Sequence, residues 1–264
     1  MKYLIPVLFC LSPLPSVADE PQSDVAMAGR YRECVALVEN APEAAITAAD
    51  AWRIGSGGIP ARHCLALALA SSGAYGEAAE ELEAIAHDLP LARTQAMAQT
   101  IILPSPHIIS EMYIQAASAW STAQKFDRAL NALNQAMGDL DKLGDQAFII
   151  YVDRAEVLGK LKRYDEALKD LHAALAIHGD AADVRAMLAS AYRYLEKWDL
   201  AELEVTAALE LDPVNAPALL EQGILSWLLE DDKTARASWL KLIRLHPGTA
   251  AARAAHENLS NLKP

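Results

Sequence analysis

The sequence predicts an all-α repeat solenoid, on three observations. A 34-residue unit is written twice in register over residues 182–249: Ala189 and Gly223, Ala201 and Ala235, Leu211 and Leu245, and Pro213 and Pro247 each lie one period apart. A fixed period of this length is the mark of a repeat array. Within each unit the apolar residues follow 3.6-residue spacing, and no run alternates with period two. The hydrophobic fraction is 53%, much of it alanine, with only 3 Phe and 12 Gly, a mixture that suits packed helices and opposes a β-rich chain.

Each unit reads as two helices. Over 182–195 the small or apolar positions are Ala186, Leu188, Ala189, Ala191 and Tyr192; over 199–211 they are Leu200, Ala201, Leu203, Val205, Ala208, Leu209 and Leu211. Asp212-Pro213 closes the second helix, because proline disfavours helix at the residue before it, and His246-Pro247-Gly248 repeats the stop one period later. Alanine stands where two helices must approach closely. One such hairpin cannot bury both faces, so neighbours must stack into a continuous core.

These residues resemble the tetratricopeptide repeat family, which sets a small residue at the eighth position, an aromatic at the seventeenth, Ala at the twentieth and twenty-seventh and Pro at the thirty-second. Residues 182–215 carry Ala189, Trp198, Ala201, Ala208 and Pro213; residues 148–181 carry Ala155, Tyr164, Ala167 and Ala174; residues 110–143 carry Ala117, Phe126, Ala129 and Ala136. Residues 216–249 keep Gly223, Ala235 and Pro247, but Asp232 replaces the aromatic and Leu242 the second Ala. A weaker unit covers 59–92 through Ala66, Gly73, Tyr75 and Ala78. Ala129 and Ala167 are 38 apart, which places about four extra residues near Gly138–Asp145. The resemblance implies a right-handed α–α superhelix.

Taken in order, residues 1–18 read as a secretory signal: Lys2, the apolar stretch Tyr3–Leu14, and a small-residue cleavage site at Ser16-Val17-Ala18. An uncleaved anchor is the alternative reading, and a lipoprotein using Cys10 a lesser one, because bulky Phe9 precedes that cysteine. The pattern is that of an exported bacterial protein, and export predicts a periplasmic mature chain from Asp19. That chain then holds Cys34 and Cys64, and an even pair in an oxidising compartment predicts a disulfide. Two buried free thiols are the alternative, and thiol titration separates the two. Helices are expected over 26–39, 42–53, 61–71, 75–87 and 90–101, with Gly55-Ser56-Gly57-Gly58 as a linker and Leu103-Pro104-Ser105-Pro106 as a joint. This N-terminal helical segment, 19–106, carries degenerate repeats. The regular array, 107–264, continues with helices at 107–123, 126–141, 146–160, 164–177, 181–195, 198–211, 215–229 and 232–245, and ends in a capping helix at 249–262 with a wettable outer face.

Net charge is −12, and about one unit more negative after loss of Lys2. Phosphate binding needs clustered Lys and Arg, so nucleic acid is excluded as a natural partner. No catalytic constellation is found. The seven His are scattered without metal-ligand spacing, no nucleophile-elbow or dinucleotide motif occurs, and acidic pairs such as Glu80-Glu81 and Asp231-Asp232 read as solvated charge or helix starts. The reading is non-enzymatic, with no cofactor, no metal, no evident small-molecule substrate and no transmembrane segment in the mature chain.

The resemblance implies that the first helix of each repeat lines a concave groove, through its second, fifth, ninth, twelfth and thirteenth positions. The groove residues carried forward are Glu156, Lys160, Ser190, Arg193, Tyr194, Leu220, Ile224, Trp227 and Leu228. The last four form an apolar stripe, and Arg193 and Tyr194 add the aromatic–Arg character of interface hot spots. The alternative for Trp227 is packing against the capping helix. Some family members clamp a C-terminal carboxylate with Lys and Asn at the fifth and ninth positions; here those positions hold Val152, Glu156, Ala186, Ser190, Leu220 and Ile224, so a helix or extended segment with apolar anchors is the better expectation. The function expected is a periplasmic scaffold or adaptor that binds a protein or peptide. A structural component or assembly chaperone of an envelope complex, using the convex face or array ends, is the alternative.

Overall fold

The structure is a computed structural model of the 264-residue chain and describes residues 24–55, 57–96, 106–138, 140–142 and 144–262. The expected signal segment, residues 1–18, lies outside the described residues. Among the described residues there are thirteen helices and no strand. They are α1 (Asp24–Asn40), α2 (Pro42–Ile54), α3 (Gly58–Ser71), α4 (Tyr75–Ala96), α5 (Pro106–Thr122), α6 (Phe126–Met137), α7 (Asp145–Lys160), α8 (Tyr164–Ile177), α9 (Ala182–Tyr194), α10 (Trp198–Leu211), α11 (Ala216–Leu228), α12 (Asp232–Leu245) and α13 (Ala250–Asn261). Consecutive helices pair, and each pair packs on the next, so the chain is an all-α helical superhelix closed by α13 against α11 and α12.

The alanines carry the packing. Ala129, Ala167, Ala201 and Ala235 are at most 1% exposed, and Ala117, Ala155 and Ala189 at most 3%. A larger side chain there would hold the helix axes apart. The last repeat solves the same contact differently. Trp239 of α12 is wholly buried and lies over Gly223 of α11, where a Cβ would overlap the indole. The facing positions one period earlier are Val205 and Ala189, so the bulk has moved from one helix to its neighbour.

The turn between the two helices of a unit is also periodic. Gln124, Lys162, Glu196 and Glu230 all have φ between 57° and 62°. Gly73, with φ 90°, occupies the same register in residues 59–92. A left-handed residue at this one position closes the hairpin, and only glycine adopts it without steric cost.

Three boundaries differ from the sequence expectation. Helix α4 does not stop at 87 and restart at 90; it runs through Pro90 to Ala96. Its buried residues Ala78, Ala79, Leu82, Ile85, Ala86 and Leu89 anchor one continuous face, and tertiary packing outweighs the proline's lost hydrogen bond. Helix α6 ends at Met137, short of the expected 141, and the extra residues of this unit follow it. The expected glycine linker is already partly helix, because α3 starts at Gly58. At Gly57 a Cβ would lie 2.5 Å from Ala61 Cβ and 2.7 Å from Trp52 Cδ1, so glycine lets the chain fold back tightly onto Trp52.

Cys34 of α1 and Cys64 of α3 form a disulfide with their Cα atoms 6.2 Å apart. Both are buried beside Ala49, Trp52 and Ala61. The Tyr31 hydroxyl and His63 Nδ1 share a 2.7 Å hydrogen bond across the same two helices.

Candidate functional site

Helices α5, α7, α9 and α11 present their exposed faces to one side of the superhelix. Two adjoining cavities on that face share lining residues. The first, about 490 Å³, lies between α5 and α7 and is lined by Ser118, Ser121 and Thr122 on one wall and Asp153, Glu156 and Lys160 on the other. The second, about 290 Å³, lies between α7 and α9 and is more apolar, with Tyr164, Leu171, Met187, Ala191 and Tyr194 alongside Ser190. Glu156 and Lys160 line both cavities, so the two are steps of one groove.

The sequence-derived groove residues divide into three groups. Glu156, Lys160, Ser190 and Tyr194 line the cavities. Tyr194 is 55% exposed and stacks parallel on Tyr164, with ring centroids 4.7 Å apart. Trp227 and Leu228 are 43% and 45% exposed at the end of α11. Neither belongs to the cluster that α13 covers, so Trp227 is not held under the capping helix. Leu220 and Ile224 are partly buried, packed against the cluster of Leu219, Trp239 and Leu242. At the fifth position Ala186 is 1% exposed, while Ile114, Val152 and Leu220 are partly buried.

Arg193 also departs from its expected part. Its guanidinium donates to both carboxylate oxygens of Glu221, at 2.6 and 3.1 Å, and the two side chains are only 13% and 10% exposed. It also lies 4.3 Å above the Tyr194 ring centroid and reaches Ser190 Oγ at 3.4 Å. Arg193 therefore staples α9 to α11 and props up Tyr194 from behind. Glu81 is a further correction, since it holds Arg62 and is only 24% exposed, while Glu80 is a solvated charge that pairs with Arg128 at the surface.

Carboxylates that leave the surface are otherwise matched. Arg62 holds Glu81 and Asp88, Arg154 holds Asp170, Arg185 holds Glu204, Arg53 holds Asp50, and the Trp120 indole donates to Glu83. Asp153, which sequence reasoning passed over, is different. It is half-buried in the first cavity and meets no donor among the described residues. Burial, with Glu156 alongside, pushes its carboxyl up to about 6.

Among the described residues, no group of three or more His, Cys, Asp or Glu could hold a metal ion, and no helix is long and apolar enough to cross a membrane.

No protein-family model matches the chain. The DnaJ homolog subfamily C member 7 homolog of Schizosaccharomyces pombe is 38% identical over 94 residues, which is 36% of this chain and 19% of that protein. The chain matches about a fifth of the length of its curated relatives. Among solved structures, PilF of Pseudomonas aeruginosa superposes with a TM-score of 0.59 at 16% identity, over 89% of this chain and 98% of that one. MamA from Desulfovibrio magneticus RS-1 gives 0.55 at 20% identity, over 73% and 97%. The fold is of the tetratricopeptide-repeat type. A fold does not fix a function, so the site must be argued from its own residues.

Proposed function

We propose that this chain is a non-enzymatic scaffold or adaptor that binds a protein or peptide segment in the concave groove of α5, α7, α9 and α11. The observation that carries the reading is the stacked pair Tyr194 on Tyr164, which lines the second of two contiguous cavities, with Trp227 exposed on α11. Rigid aromatic rings beside pockets supply contact area at low entropic cost, the character of interface anchors. The groove has no lysine and asparagine set for a terminal carboxylate, so recognition rests on side chains along the segment. We place the mature protein in the periplasm. The signal-like pattern of residues 1–18 and the Cys34–Cys64 disulfide support an oxidising compartment.

The test is affinity capture from a native periplasmic extract with the wild-type chain and with Tyr194→Ala/Trp227→Ala. Tyr194 is 55% and Trp227 43% exposed and neither is a core residue, so the variant is expected to keep its fold. A protein retained by the wild type and lost by the variant is the expected result. Equal retention would move binding off the groove.

One observation favours a second reading. The outer helices α10 and α12 expose Leu200 (42%), Leu203 (61%) and Leu240 (52%). A structural or assembly role through the convex face would use these leucines, and equal capture by both proteins above would select it.

A further inference from the structure

The cavity between α5 and α7 carries an unmet demand for positive charge. Asp153 is the one partly buried carboxylate among the described residues without a donor, while every counterpart named above holds an arginine or an indole N–H. Lys160 lines the same cavity yet forms no ion pair with Asp153 or Glu156 among the described residues. From α5 and the turn after it the cavity receives only neutral polar groups, Ser118, Ser121, Thr122 and Gln124.

The repeat supplies an internal comparison. Asp153 and Glu221 occupy the same, sixth, position of their units, as the 34-residue register shows. Glu221 is satisfied by Arg193, from the twelfth position of the preceding unit. The residue in that register before Asp153 is Ser121. At one groove step the chain provides both anion and cation. At another it provides the anion, a short hydroxyl residue, and about 490 Å³ of open space.

We infer that the cavity between α5 and α7 is a receptor site for a lysine or arginine side chain of the bound protein segment, with the Asp153 carboxylate as acceptor and Glu156 beside it. The incoming cation takes the place that Arg193 fills in the later repeat. This rests on the groove-binding reading and adds the chemistry of the ligand: a basic residue at this step, followed by an apolar or aromatic residue over Tyr164, Met187 and Tyr194. A charge-assisted hydrogen bond in a half-buried pocket is among the stronger polar contacts. It sorts ligands by sign, because an acidic residue at the same step would face two carboxylates. The raised Asp153 carboxyl agrees with this geometry, since a bound cation would draw it back down.

The experiment selects peptides from a random linear library against the wild-type chain, Asp153→Asn and Ser121→Arg. Ser121→Arg recreates the internal pair and fills the cavity. The wild type is expected to enrich peptides bearing Lys or Arg. A representative one should bind both variants roughly tenfold or more weakly, the factor set by one lost charge-assisted contact. Ser121→Arg alone should lower the Asp153 titration midpoint, followed by carboxyl carbon NMR, without any ligand. Enrichment with no basic preference would overturn this inference and leave the groove reading intact. An unmoved Asp153 midpoint in Ser121→Arg would overturn the geometric premise. No enrichment by any of the three proteins would count against both readings.

Discussion

Arg193→Ala is predicted to cost stability far beyond an ordinary groove substitution. The guanidinium of Arg193 makes two bonds to Glu221, at 2.6 and 3.1 Å, with both side chains almost fully buried. At a charge separation near 4 Å and an effective dielectric of about 20, the Coulomb term is roughly 4 kcal/mol, set against the desolvation of two ions. Truncating the arginine removes the attraction and keeps the cost of burying Glu221. The expected loss is about 3 kcal/mol, the lower end of the range for breaking a buried pair. Replacing both partners, as in Arg193→Met/Glu221→Leu, removes the charges together and should cost less than about 1 kcal/mol. Urea unfolding followed by circular dichroism reads both, with hydrogen exchange in α9 and α11 as a local readout, because repeat arrays unfold in parts. Equal and small losses in the single and double variants would refute the staple and return Arg193 to the partner-binding face. Arg193→Glu is a poor probe of binding, since it would bury two carboxylates face to face.

Gly223→Ala should destabilise the last repeat by about 1–3 kcal/mol through overpacking against the Trp239 ring, although Ala normally favours helix over Gly. Its effect should combine with Trp239→Leu to less than the sum of the singles in a thermal-unfolding cycle, and additive values would contradict the contact. Asp153→Asn should raise Tm at about pH 8 and lose that advantage near pH 4. The folded chain holds the Asp153 proton up to about 6, so wild-type stability falls as pH rises from the ordinary carboxylate range through that value, and the variant escapes this fall. Reducing the Cys34–Cys64 disulfide, which closes a 30-residue separation, should cost about 3–4 kcal/mol by chain entropy and loosen α1 against α3; unchanged amide exchange in α1 under reductant would refute this.

The architecture was legible because it rests on small residues. Ala117, Ala155 and Ala189 mark close helix contacts, and their spacing carries the repeat and its four-residue insertion. Continuity of α4 through Pro90 was not legible, since local propensity cannot report the face that Ile85, Ala86 and Leu89 bury. Nor does composition mark the left-handed turn residues: Lys162 and Glu196 read as ordinary surface positions, and only their register reveals them. In the groove, the exposure of Tyr194 and Trp227 follows from repeat position. The role of Arg193 does not, because its partner Glu221 lies 28 residues away. Asp153 looks like a solvated helix acid until the sixth and twelfth positions of successive repeats are compared. That comparison separates an acid with an internal arginine from an acid with none.

The central claim, that the concave face holds a protein segment, is tested most directly by site-specific photo-crosslinking in the native envelope. A photoreactive residue would replace Ser190 in the groove or Leu203 on the outer face. A discrete crosslinked protein is predicted from Ser190, competed by a selected basic peptide, and none from Leu203. A crosslink from Leu203 alone would contradict it and place the working surface on the convex side.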